Sequence, residues 1–142
     1  MAEPRMPARQ REEVPSRALG CCEYCLSQEQ YSPNPFSVEH LIPLVKGGTH
    51  DLDNLAWSCQ GGNSRNYVNT EVLDPVTGQT VPLYHPRRDR RAAHFAWNED
   101  QTLVIGLTPT GRATVEKLQV NRAGVVNLRW VLSSKDIHPP QA

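Results

Sequence analysis

The sequence predicts a single α+β domain, and three observations carry that prediction. At 142 residues the chain is long enough for one compact core and too short for two domains of ordinary size. The apolar runs "FSVEHLIPLV" and "LAWSC" flank the turn-rich "KGGTHDLDN", which reads as strand, loop, strand. Further on, "HFAWNEDQTLVIGLT" reads as a hairpin, and "TPTGRATVEKLQVN" and "RAGVVNLRWVL" read as helices.

In chain order, residues 1–18 are polar, carry Pro4, Pro7 and Pro15, and are expected to be peripheral, with a short helix around "PARQREEV" that Pro15 ends or kinks. Residues 19–72 hold the cysteines and the two strands, and "NSRNYVNTEVL" can start a helix after the glycines. Residues 73–135 form a C-terminal extension: a turn over Pro75 to Gly78, an extended run, the basic cluster "RRDRR", the hairpin, and the helices, the first with Val115, Leu118 and Gln119 on one face. Residues 136–142, with Pro139 and Pro140, are expected to be a flexible tail that makes His138 irrelevant. Trp57, Phe95, Trp97 and Trp130 sit where aromatic core is expected, with stacking on bases as the minor alternative.

Fifteen basic residues balance fifteen acidic ones, so an electrostatic partner must be held by a local patch. No stretch approaches the roughly 18 apolar residues of a membrane span, and "MAEPRMPARQREEVPSR" lacks the apolar centre of a signal peptide, which makes a cytoplasmic protein the expectation. Cysteines in a reducing compartment favour liganding or redox roles over disulfides.

The chemistry concentrates between Cys22 and Asn66. "VEH" sets the carboxylate of Glu39 beside the imidazole of His40, and Asn54 and Asn63 follow. Histidine can take a proton from water near neutral pH, and carboxylate and amide oxygens suit Mg²⁺. The plain alternative is a solvated Glu39, a packed His40 and two turn asparagines. A redox or zinc-storage role for "CCEYC" would leave His40, Asn54 and Asn63 unexplained.

The ordered run "CEYCLSQEQYSPNPFSVEHLIPLVKGGTHDLDNLAWSCQGGNSRN" resembles the HNH endonuclease family, with its C-x-x-C, (Asp or Glu)-His, apolar-Pro stretch, Gly-Gly, Asn-Leu and second C-x-x-C followed by Asn or His. The resemblance implies a ββα-metal core, here carrying an added C-terminal β-hairpin and one or two helices. It implies His40 as general base, Asn54 as a loop-pinning residue, and Glu39 with Asn63 as holders of one Mg²⁺ or Mn²⁺ ion. The implied activity is metal-dependent hydrolysis of DNA phosphodiesters, the alternative being a non-catalytic nucleic-acid-binding module. Lys46, Arg65, Arg87, Arg88, Arg90 and Arg91 are the candidate DNA contacts, extended by Arg112, and a protein partner or a homodimer could target the neutral chain to DNA. Adjacent strand residues point to opposite faces, so Glu39 and His40 can share a site only if the chain leaves strand geometry there.

In the family the two cysteine pairs commonly hold a structural Zn²⁺. Here Cys22, Cys25 and Cys59 are present and Gly62 stands where the fourth ligand belongs. Structural zinc prefers four ligands, so the expectation is zinc absent or weakly held, with the three thiols packed as small buried side chains. Cys21, His50, His85 and His94 are the candidate substitutes, none with supporting spacing.

Overall fold

The computed structural model describes residues 6–59 and 70–140. Among the described residues, helices combine with three small two-stranded antiparallel sheets in an α+β arrangement. Helix α1 (Ala8–Arg17) precedes strands β1 (Ser37–His40) and β2 (Leu55–Ser58). These pair from Ser37↔Ser58 to His40↔Leu55. The hairpin β3 (Glu71–Leu73) and β4 (Thr80–Pro82) follows, then a short helix α2 (Arg91–His94), the hairpin β5 (Phe95–Trp97) and β6 (Val104–Gly106), and helices α3 (Pro109–Lys117) and α4 (Ala123–Ser133). The helix expected after the second cysteine motif falls largely on residues 60–69, outside the described residues.

Local chemistry accounts for most of these elements. The β3–β4 turn is built by Asp74, whose side chain accepts from Val76 N and Thr77 N at 3.2 and 3.3 Å, with Gly78 taking φ +74°. Thr108 caps α3 by accepting from Gly111 N at 3.0 Å, and Pro109 opens the helix. The buried positions of α3 are Gly111, Ala113 and Thr114, with Leu118 at its end. Gln119, expected on that face, is exposed. Gly111 is required by proximity: a Cβ there would stand 2.2 Å from His94 O.

Three expectations are corrected. The N-terminal helix runs through Pro15 to Arg17, with Val14 buried and the Arg17 guanidinium donating to Leu55 O, so tertiary packing on β1 and β2 outweighs the bond Pro15 cannot make. Trp130 is 64% exposed, because α4 turns Val125, Arg129 and Leu132 inward at helical spacing and leaves its neighbour outside. The tail is docked as far as Pro140: His138 is buried, edge-on to Trp97, and hydrogen-bonds Gln101 O at 2.8 Å.

One apolar cluster runs from Cys22, Tyr24, Cys25 and Phe36 through Ala56 and Cys59 to Leu83, Phe95, Val104, Leu118 and Val120. The C-terminal extension and the cysteine region therefore share a core. Arg129 fastens them: it is 3% exposed, donates to Cys25 O, Val120 O, Thr102 O and Asn121 Oδ1 at 2.8–3.0 Å, and lies over the Trp97 ring.

Candidate functional site

Asn54 clamps the loop between β1 and β2. Asn54, 7% exposed, accepts from Ile42 N at 2.8 Å and donates to Ile42 O at 3.1 Å and to Thr49 O at 2.8 Å. An asparagine can do this because its amide carries both a donor and an acceptor. The chain reverses at Gly47, with φ +88°, while Gly48 packs so closely that a Cβ would sit 1.7 Å from Ile42 O. His40 ends β1 just before this loop, and its Nε2 lies 3.0 Å from Nδ1 of His50, which the loop brings back to it. Helix α1 supports the pair through Gln10 Nε2, which donates to His50 O at 3.1 Å.

Glu39 is placed differently. The β1–β2 ladder continues through Glu39↔Ala56 and His40↔Leu55, so strand geometry is retained and the two side chains leave on opposite faces. The expected departure from strand geometry begins only at Leu41. Glu39 is 6% exposed and faces the buried Tyr24, whose phenol is pushed well above its ordinary pKa by burial and then by the Glu39 carboxylate. Asn63, Gly62 and Arg65 lie outside the described residues.

The cysteines do converge. Sulfurs of Cys22, Cys25 and Cys59, all buried, lie within 4.8 Å of one another, with Cys25 Sγ 3.7 Å from Cys59 Sγ. Tetrahedral thiolates at about 2.3 Å from zinc stand about 3.8 Å apart, so the spacing fits a metal ion. Backbone bonds shape this cradle: Cys22 N to Ser27 O at 2.9 Å, Leu26 N to Cys22 O at 3.0 Å, and Glu23 N to Trp57 O at 2.9 Å. Burial, and after it the neighbouring Cys25 and Cys59 sulfurs, push the Cys22 thiol well above its ordinary range. Cys21 turns away to Leu19 O at 3.6 Å and takes no part. His50 is held by His40, His85 Nδ1 accepts from Arg87 N and Arg88 N at 3.2 Å, and His94 Nδ1 sits 2.6 Å from Thr108 Oγ1, so none of the three histidines joins the sulfurs. Instead Arg122 Nη2 lies 3.1 Å from Cys59 Sγ.

The basic cluster divides. Arg87 is ion-paired with Glu23, and Arg91 donates to Glu23 O and Tyr24 O at 3.3 and 2.9 Å while covering the Phe95 ring, so both serve the cysteine turn. Arg112 is bound to the buried Asp74 by two bonds of 3.0 and 2.8 Å. Arg88, Arg90 and Lys46 are exposed. Lys46 and Arg88 border a cavity of about 520 Å³ that Ile42 and His85 also line. Sequence reasoning missed His50 as a partner of His40 and Arg122 as a partner of Cys59. The first lay within reach of a short loop, whereas nothing local signals the second, 63 residues away.

Residues 22–67 match the family model for HNH endonuclease, so the chain carries an HNH domain over about a third of its length. No curated protein matches the chain. The domain associates the protein with nuclease or nucleic-acid-binding function, and the three-cysteine cluster marks a candidate metal site. No helix among the described residues is long and apolar enough to cross a membrane.

Proposed function

We propose that the protein is a metal-dependent DNA endonuclease in which His40 is the general base. The observation that carries this reading is the His40–His50 pair at the mouth of a loop pinned by Asn54, inside the segment that matches the HNH model. In the tautomer in which His40 Nε2 donates to His50 Nδ1, the other His40 nitrogen is the basic one and takes the proton from an attacking water. His50, itself held by Gln10, sets the tautomer and the ring plane, and Asn54 keeps the following backbone in place. Glu39 and Asn63 are the hard oxygen donors that would hold a Mg²⁺ or Mn²⁺ ion, which would supply charge stabilisation at the phosphate and leaving oxygen; for Glu39 this reading requires its carboxylate to turn from the Tyr24 side toward His40. Lys46, Arg88 and Arg90 are the exposed cations to which we assign DNA contact.

The test is nicking of supercoiled plasmid with Mg²⁺ or Mn²⁺. His40→Ala is expected to cut about 10²–10⁴-fold more slowly while binding DNA as the parent does. The burial of Glu39 on the face away from His40 favours a second reading, a nucleic-acid-binding module without catalysis. DNA binding without metal-dependent nicking by the parent protein would establish that reading and end the first.

A further inference from the structure

We propose, resting on the nucleic-acid reading above, that the turn before α2 holds a phosphate of the DNA backbone, with His85 as a neutral hydrogen-bond donor and Arg88 and Lys46 as its cations. His85 lies outside the segment that matches the HNH family, so the site is a contribution of the C-terminal extension. The turn "HPRRD" is built around this histidine. Arg88 N and Asp89 N donate to His85 O at 3.1 and 2.8 Å, and Asp89 Oδ2 accepts from His85 N at 2.9 Å. The amides of Arg87 and Arg88 also donate to Nδ1 of the ring, both at 3.2 Å. A ring nitrogen that accepts carries no proton, so in the neutral imidazole the proton is on Nε2. Burial, and after it Arg88, lower the pKa of His85, which keeps the ring neutral at neutral pH. The turn therefore presents one fixed N–H, on the ring edge away from its own amides.

The surroundings define what that N–H meets. The turn is fastened to the HNH domain by the Arg87–Glu23 ion pair and by Tyr84, whose ring packs edge-on against Tyr24 and whose N–H donates to Thr114 Oγ1 at 2.9 Å. Two cavities of about 520 and 320 Å³ adjoin here, and among the described residues Ile42, His85 and Arg88 line both. Carboxylates line only one or the other: Glu71 and Asp89 the larger cavity, Asp53 the smaller, with Asp89 already bound to His85 N. The shared wall thus combines the His85 donor with the exposed Arg88 guanidinium, and Lys46 adds an ammonium from the larger cavity. A neutral donor flanked by two cations suits an oxyanion, and for a protein that binds nucleic acid the oxyanion is the backbone phosphate. Ile42 and Lys46 belong to the loop that Asn54 clamps after His40, so a phosphate seated here is held in a fixed relation to His40. His85 is accordingly a positioning residue, setting where the strand lies without touching the reacting atoms.

Binding of a short fluorescein-labelled DNA duplex by the whole chain, without added Mg²⁺ or Mn²⁺, is read by anisotropy across a salt series. His85→Asn keeps an acceptor oxygen for the turn amides but withdraws the outer N–H. It is expected to weaken binding about 10-fold with the salt slope unchanged, because a neutral donor displaces no counterion. Arg88→Gln is expected to weaken binding and also to lower the slope by about 1. His85→Gln, whose amide nitrogen reaches about as far as Nε2, is expected to recover part of the loss seen in His85→Asn. Histidine-selective ¹H–¹⁵N spectra of the parent protein, which need no variant to fold, are expected to show His85 as the Nε2–H tautomer and to shift its resonances when DNA is added. A His85→Asn variant that binds DNA as tightly as the parent, or His85 resonances that bound DNA leaves unmoved, overturns the phosphate site alone. A parent protein that binds no DNA overturns the site together with the reading on which it rests.

Discussion

Replacement of Asn54 by alanine tests how the loop after His40 is held. The side chain makes three hydrogen bonds, to Ile42 N, Ile42 O and Thr49 O, all between 2.8 and 3.1 Å. Each is worth about 1 kcal/mol net, and a polar group left without a partner costs about 1–3 kcal/mol. Ile42 and Thr49 are exposed, so water can reach part of what is lost, which sets the expected destabilisation at about 2–4 kcal/mol. Urea unfolding followed by tryptophan fluorescence measures it, since Trp57 lies on β2 directly after the clamp. Asn54→Asp separates the contributions. It keeps the acceptor for Ile42 N but turns the other oxygen toward two carbonyls, so at neutral pH it should be no more stable than the alanine variant, and protonation of the new carboxylate in acid should recover stability. A loss below about 1 kcal/mol for Asn54→Ala would show that the loop does not depend on the clamp. Under conditions where both proteins are folded, plasmid nicking should also fall, because His40 stands two residues before the clamped Ile42.

Further outcomes follow from other contacts. Gly48→Ala would force a Cβ to within 1.7 Å of Ile42 O, and is expected to lower stability by about 2 kcal/mol or more, read as a fall in melting temperature; an unchanged melting curve would contradict the loop packing. Arg129→Met retains length but removes the Arg129 donor from the carbonyls of Cys25, Val120 and Thr102 and leaves Asn121 Oδ1 with Val104 N alone, so a loss of about 3–5 kcal/mol is expected in urea unfolding, and near-parental stability would refute its fastening role. Asp74 is held well below the usual carboxylate range, first by Arg112 and then, against the effect of burial, by Thr77 and backbone N–H groups. A depressed carboxylate contributes stability above its unfolded pKa of about 4 and loses it as pH falls further. Asp74→Asn should therefore flatten the pH dependence of unfolding below about pH 4, and an unaltered profile there would sink the assignment.

Much of this protein was legible in the sequence because it is encoded over short distances. The two strands around the Gly-Gly loop, the Asp74–Gly78 turn, the hairpin after His94 and both C-terminal helices follow from periodicity and turn chemistry within a dozen residues. The ordered cysteine, histidine and asparagine spacing likewise pointed to the domain that the family model identifies. What the tertiary structure decided are the pairings across long separations. Helix α1 passes through Pro15 because a buried Val14 and the Arg17 bond outweigh one missing backbone bond, a balance that no local propensity contains. The arginines of "RRDRR" look alike in sequence, yet Arg87 and Arg91 are drawn to Glu23 and the Tyr24 carbonyl while Arg88 and Arg90 stay exposed. Strand register sends Glu39 toward Tyr24 and away from His40, a consequence of the twofold alternation that adjacency in sequence conceals. Spacing by itself determined that three cysteines lack a fourth. Only folding could bring Arg122 to Cys59, because charge compensation acts through space and needs no proximity along the chain.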